Sequence, residues 1–536
     1  MNKSLINITL HLIIATCCFG QQGYTGIDSP GENYRIYPGQ VNQSEVFIVN
    51  SPVDEDVLFA SCNTLTFSPF FVSEGIYVTT NGGESWQGSD TCTGDPIAFH
   101  GGDPGIAIDK DGTFIITRLG RTPLTGLYSH YSTDQGATWS QSQVISTDDL
   151  ERASLRSDIF TNSSYYGRSY AAWVKFAQPF PIVFSFTDNA GQNWSTPTPI
   201  NSPSNRSAGG DLAIGPNGEV YACWAGVTET SPFKEILVGF ARSTSGGAGW
   251  NVTENAVPMN GITGVLTDKG GIRVNGLPAI AVDTTSGPRH GWIYVVTGQK
   301  ELVPAGNDPD IVLYRSENNG ATWSSGIRVN QDNLSNGKIQ YFPVVHIDRF
   351  GAVNVLFYDD RNTTIDSTGV FLARSTDGGN SWVEYEVSDH NFKPEAIGGL
   401  GQGYQGDNID LTSTTTHLWP VWMDNSSGLY QIWTAPIEFT DIQAAGDLLE
   451  SDGRYGLKSI YPNPASDRVN ISFQANKAGE VSLAIFDMCG KLFFESSDFF
   501  RSQQQQQILI NLSELNLQNG VYLVVLKLGE TIHSER

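Results

Sequence analysis

Four aspartates stand just before or at the start of an apolar run: Asp103 in Gly101-Gly102-Asp103, Asp158, Asp211 in Gly209-Gly210-Asp211, and Asp407 in Gly406-Asp407. Carboxylates gathered at one mouth raise one another's pKa, and so serve as general acid or base, or hold a Ca²⁺ ion. The structural alternative is that an Asp after Gly accepts backbone amides where a strand starts. Both readings stay open in the sequence, and the choice depends on which elements bring the four together.

Those elements announce themselves through an octapeptide that returns six times. It occupies residues 79–86, 132–139, 187–194, 243–250, 316–323 and 375–382, in the frame Ser/Thr-x-Asp/Asn-x-Gly-x-x-Trp. Its tryptophans, at 86, 139, 194, 250, 323 and 382, are spaced by 53, 55, 56, 73 and 59 residues. A period of this size marks a propeller or solenoid. The front of the frame is a turn, since Asp and Asn bond their own backbone and Gly supplies positive φ. The tryptophan opens the next strand and packs between neighbouring sheets. The fourth copy is the most degraded, with Ser245 in the acid's place.

Upstream of each box lie two further apolar runs joined by a turn, as in residues 104–118, 212–224 and 343–358. Each unit therefore reads as four antiparallel strands, a to d, which is one propeller blade. Units begin near Glu45, Gly102, Leu155, Gly210, Gly276, Tyr341 and Gly406. The last has three strands and no box, and Tyr34-Arg35-Ile36-Tyr37 is placed to supply its outer strand, which removes the open sheet edges. The expectation is an all-β chain: a seven-bladed propeller over residues 24–440, with six blades as the alternative, then a linker at 441–456 and a small β-sandwich at 457–536. Boxes and a–b turns share one face, so the d–a connections and b–c loops that carry Asp103, Asp211 and Asp407 form the other.

Composition narrows the class. The 536 residues carry 31 Lys+Arg against 56 Asp+Glu, a formal net charge of −25, which disfavours a nucleic-acid partner. Lys3, the apolar run 5–19 and Gly20 read as a signal peptide over residues 1–20, and no later run is long enough to span a bilayer. In an oxidising compartment Cys62 and Cys92, which share one unit, are permitted to form a disulfide. Cys223 reads as a buried strand residue.

The boxes resemble those of the Asp-box, or bacterial neuraminidase repeat, proteins. The resemblance implies a sialidase-like propeller, a fold shared by exo-α-sialidases, other glycosidases and propellers without catalysis. A sialidase clamps the substrate carboxylate with three arginines, and uses a Tyr nucleophile paired with Glu and an Asp acid/base. Loop arginines offered for the clamp are Arg118, Arg121, Arg156, Arg168, Arg273 and Arg361; tyrosines are Tyr341 and Tyr404. Asp103, Asp211 and Tyr404 are the catalytic candidates, and Arg118, Arg273, Arg361, Asp158 and Asp407 the substrate-binding ones. Asp103, Asp211, Arg361 and Tyr404 are expected to share one pocket. The family's Arg-Ile-Pro signature is altered to Arg35-Ile36-Tyr37-Pro38.

The tail resembles the C-terminal sorting domain of type IX secretion cargo in the Bacteroidota, through Tyr461-Pro462-Asn463-Pro464, Asp467, Gly490-Lys491 and Gly520-Val521-Tyr522. The chain ends without the usual short basic residues. The resemblance implies export through the outer membrane by that machinery. The functional expectation is a glycan-directed secreted propeller, most specifically exo-α-sialidase-like, acting on an extracellular glycan or glycoprotein. The alternative is a non-catalytic propeller that binds glycan or protein.

Overall fold

The computed structural model describes residues 31–92 and 99–442, and from 456 onward residues 456–461, 465, 467–474, 479–487, 491–500, 505–515, 517, 520, 522–528 and 531–535. The expected signal peptide, most of the expected linker, and Pro462, Asn463, Pro464, Gly490 and Val521 lie outside the described residues. The chain divides into two compact units, Tyr24–Phe439 and one that takes in Thr440–Arg536.

In the first unit the strands form seven antiparallel sheets arranged as blades, six of four strands and a seventh to which Ile437–Glu438 adds a fifth. Blades 1 to 6 occupy residues 42–89, 100–146, 154–199, 206–258, 279–328 and 340–386. Blade 7 takes its three inner strands from Asp410–Ser413, His417–Asp424 and Gln431–Thr434, and its outer strand from Tyr34–Arg35. Tyr34 pairs with Thr434 and Arg35 with Trp433, so the ring closes with a strand from the far end of the chain.

The box turn is built the same way each time, save that in the fourth copy Ser245 donates to the Gly249 carbonyl instead of accepting its N–H. The first residue's hydroxyl accepts the N–H of the glycine four residues on: Thr79 from Gly83 at 2.9 Å, Ser132 from Gly136 at 2.8 Å, Ser375 from Gly379 at 2.7 Å. The acid or amide at the third position accepts the N–H of the seventh, as Asp134 does from Thr138 at 2.8 Å and Asn318 from Thr322 at 2.9 Å. The glycine sits at φ near +85° (Gly320, 84°), and a Cβ on it would stand 2.0 Å from the Phe240 ring of the preceding blade. Each tryptophan then packs into the core between its own blade and the one before it. Trp250 meets Phe184 and Trp323 meets Phe240 edge-on, both with ring centroids 5.2 Å apart. Local turn chemistry and inter-blade packing are thus the same eight residues.

Cys62 and Cys92 do not bridge one another. Cys62 packs in the core shared by blades 7 and 1, with Trp419 and Val421, whereas Cys92 packs in the core shared by blades 1 and 2, with Ile106 and Phe114. They lie on opposite faces of one sheet, and Cys62 is a buried free thiol beside the Tyr77 hydroxyl. Sharing a repeat unit placed them close in sequence without aiming them at each other.

The long interval before Trp323 holds an extra hairpin, Gly264–Leu266 with Ile272–Val274, between blades 4 and 5. Its turn is anchored by Lys269, fully buried, which donates to Asp360 Oδ2 at 2.7 Å and to the carbonyls of Ile365 and Ser367. The returning strand reaches the blade 6–7 connection, where the Arg273 N–H donates to the Gly403 carbonyl at 2.9 Å.

In the second unit a three-stranded and a four-stranded sheet enclose a core of alternate residues, including Val469, Ile471, Phe473, Leu483, Ile485 and Val524. This is a small β-sandwich. Among the described residues no helix is long and apolar enough to cross a membrane.

Candidate functional site

The innermost strands enter the central channel through a repeated irregularity. Register slips between Ser44 and Phe47 in blade 1, Gly102 and Gly105 in blade 2, Ala208 and Asp211 in blade 4, and Tyr341 and Val344 in blade 6. In each bulge the residue after the slip begins is left-handed: Glu45 (φ 57°), Asp103 (58°), Gly209 (67°) and Phe342 (51°). A bulge re-aims its side chain, and for a non-glycine residue the conformation costs about 1 kcal/mol or more, so the surroundings must hold it. At Asp103 the holders are two residues of blade 1. Glu74 accepts the Gly102 N–H at 3.0 Å, and the Asn63 side-chain oxygen accepts the Asp103 N–H.

These bulges open onto a cavity of about 630 Å³ on the face opposite the boxes. Asp103, Asp211, Asp407, Arg273 and Tyr404 line it, as do Glu45, Asn63, Glu151, Arg121, Arg152 and Arg156. At its centre the Asn63 amide donates both to Asp103 Oδ1, at 3.0 Å, and to the Tyr404 hydroxyl, at 3.1 Å. The Tyr404 hydroxyl also meets Ser44 Oγ at 3.1 Å, and its ring lies under Arg273 at 4.9 Å. Arg273 forms a two-bond pair with Asp407.

Burial and like charge set the protonation states. Asp103 is pushed up to about 7, first by desolvation and then by the Glu151 carboxylate. Glu45 is raised well above the carboxylate range by desolvation and by Asp103 and Asp407, and the Tyr404 phenol is raised by burial and by Glu45. The arrangement holds a carboxylic acid protonated near neutrality beside a neutral phenol and a second acid, with arginines around them.

Not every expected residue belongs to this site. Asp158 follows the inner strand of blade 3, Ser154–Ser157, rather than preceding it, and there accepts from Ser163 Oγ and the Phe160 N–H on the box face. Arg118 is buried within blade 2, donating to His130 Nε2 and to the Leu119 carbonyl under the Tyr128 ring. Arg361 is spent on Asp359 and Glu384, so the pocket gathers Asp103, Asp211 and Tyr404 without it. Asp211 lines the cavity but is a staple: it accepts from Ser154 Oγ, Arg156 and the Ile280 N–H, tying blades 3, 4 and 5. Asp103 and Asp211 are also not equivalent, because Asp103 opens its bulge and Asp211 ends one. Among the described residues no group of three or more His, Cys, Asp or Glu is placed to hold a metal, so the expected carboxylate ring does not converge on a Ca²⁺ position.

Sequence reasoning missed Glu45, Asn63, Glu151 and Arg152. Glu45 matches Asp103 only when the two bulges are superposed. Glu151 and Arg152 sit in a d–a connection, the class of segment already assigned to this face.

Residues 459–536 match the family described as the secretion system C-terminal sorting domain. The chain therefore carries a type IX sorting domain and is exported through the outer membrane, to the cell surface or beyond. No curated protein sequence matches the chain. Among solved structures it is similar to an ulvan lyase, a polysaccharide lyase, with 11% identity and a TM-score of 0.46 over 76% of this chain and 96% of that one. A protein of unknown function from Dyadobacter fermentans gives 13% identity and a TM-score of 0.43, over 76% and 98%. An intramolecular trans-sialidase from Ruminococcus gnavus gives 10% and 0.38, over 59% and 89%. At these identities the likeness concerns fold alone.

Proposed function

We propose that the cavity is the active site of a secreted glycan-directed hydrolase, exo-α-sialidase-like in its most specific form. The observation that carries this reading is the single Asn63 amide that joins Asp103 to Tyr404 beside Glu45. Asp103 donates its proton to the departing glycosidic oxygen and, now a carboxylate, takes a proton from the water that attacks the anomeric carbon, beside a Tyr404 phenol and a Glu45 acid that burial keeps neutral. Arg121, Arg152 and Arg156 supply planar guanidinium groups for a sugar carboxylate.

The test is release of fluorophore from a panel of sialosides by the full chain. Turnover that falls about 10²- to 10⁴-fold in Asp103→Asn supports the proposal, and no release from any sialoside overturns its sialidase form. One observation favours a second reading, a non-catalytic glycan binder: the Tyr404 hydroxyl is already tied to Ser44 and Asn63. Saturable glycan binding without turnover is its signature.

A further inference from the structure

Three arginines on the cavity face lie over phenyl rings. Arg121 lies over Phe70 at 4.1 Å, and Arg152 over Phe47 at 4.5 Å. Arg206 lies over Phe180 at 4.4 Å and Phe233 at 4.5 Å, with Phe176 at 5.7 Å. Among the described residues none of the three guanidinium groups donates to a protein acceptor or forms an ion pair, though the Arg152 charge acts on Glu45 and Asp103. Scarcity of acids does not explain this, since the chain has 56 Asp+Glu for 31 Lys+Arg. Arg156, Arg168, Arg273, Arg328 and Arg361 all find carboxylates. Held over a ring and donating to no protein acceptor, each guanidinium keeps its N–H groups for a carboxylate or sulfate.

Arg121 and Arg152 line the cavity, and Arg206 does not. Arg206 begins the inner strand of blade 4, three residues before the cavity-lining Gly209, which places it about 10 Å further along the strand. Phe180 and Phe233 come from the b–c loops of blades 3 and 4, so the cage stands on the same face as the cavity.

We propose that Arg206, Phe180 and Phe233 form a distal subsite for an anionic sugar unit, and that the saccharide taken by this face is a multiply charged chain reaching from the cavity to blade 4. The inference rests on the glycan-directed reading above and names its substrate class. The rings give a saccharide an apolar platform, and the guanidinium edge selects a uronate or sulfate ester over a neutral sugar.

The test measures binding of the full chain to chondroitin sulfate, polygalacturonate, dextran and single-stranded DNA by calorimetry. Binding to either charged saccharide and not to dextran is expected. Both carry uronate carboxylates, so binding to chondroitin sulfate alone points to the sulfate ester, and binding to both shows that a carboxylate suffices. Arg206→Gln and Phe233→Ser are each expected to weaken that binding about 5- to 10-fold, the loss of one charge-assisted contact. Arg349→Gln, an exposed arginine in a turn on the box face, should leave it unchanged. No charged saccharide binding by the unmodified chain, equal affinity in Arg206→Gln, or DNA binding as tight as the saccharide would each overturn the subsite. Sialoside turnover separates the two proposals. Polyanion binding that depends on Arg206 without sialoside turnover defeats the sialidase form and leaves the subsite standing, and sialoside turnover with Arg206-independent binding does the reverse.

Discussion

The two faces of this propeller are made on opposite plans. On the box face both sequence and backbone repeat, and the turn's hydrogen bonds close within the octapeptide: Thr187 with Gly191, Asn189 with Asn193, and the first residue with its glycine in the other copies. On the cavity face the backbone repeats while the side chains diverge. The same left-handed bulge position holds Glu45, Asp103, Gly209 and Phe342 in four blades, and its polar partners come from neighbouring blades. A repeated sequence therefore marks where the molecule holds itself together. The candidate site lies where repetition survives only in the backbone.

That contrast can be broken at either face. The largest effect is expected from Asp103→Asn on the cavity side, where turnover should fall about 10²- to 10⁴-fold with the melting transition retained at neutral pH. On the box side, Gly320→Ala puts a methyl group against the Phe240 ring at positive φ. It should cost about 2–4 kcal/mol of stability, read by denaturant unfolding, without altering substrate affinity.

A smaller loss, about 1 kcal/mol, is expected for Asp377→Ala. That change removes the acceptor for the Asn380 and Ser381 amides. The fourth copy already tolerates Ser245 at this position.

Asp103 also links the cavity to pH. Its folded pKa, about 7, lies above the ordinary carboxylate value, so its contribution favours the folded state below about pH 4 and is lost as pH rises through 7. Asp103→Asn should therefore gain in melting temperature over the unmodified chain at pH 8, with the gain vanishing near pH 4. The smallest effect is a null one. Because Cys62 and Cys92 sit on opposite faces of blade 1, dithiothreitol should not shift the melting temperature through that pair.

The same contrast explains what could be read from the chain alone. Turns are local, so the octapeptides revealed six blades. The absence of a box in the last unit exposed the seventh, together with its closing strand at Tyr34. The cavity depends on register, and register is non-local. Gly101-Gly102-Asp103 and Gly209-Gly210-Asp211 look alike, yet their pairing partners, Leu119 and Thr117 for one and Ala225 and Cys223 for the other, set the two acids on different sides of a bulge. Asp158 was misplaced for a related reason, since a short inner strand made its far end resemble a beginning. Arg118 and Arg361 had suitable loop-proximal positions, but their bonding partners lay within their own blades, His130 for one and Asp359 and Glu384 for the other.

The closing strand has a consequence for the order of synthesis. Tyr34 and Arg35 leave the ribosome long before Gln431–Thr434, the strand they must pair with, so no intermediate length of chain can complete the ring. The sorting domain follows that last blade in sequence. A polypeptide truncated within the propeller lacks both its closure and its export address, and the placement makes secretion conditional on a chain able to shut its own circle.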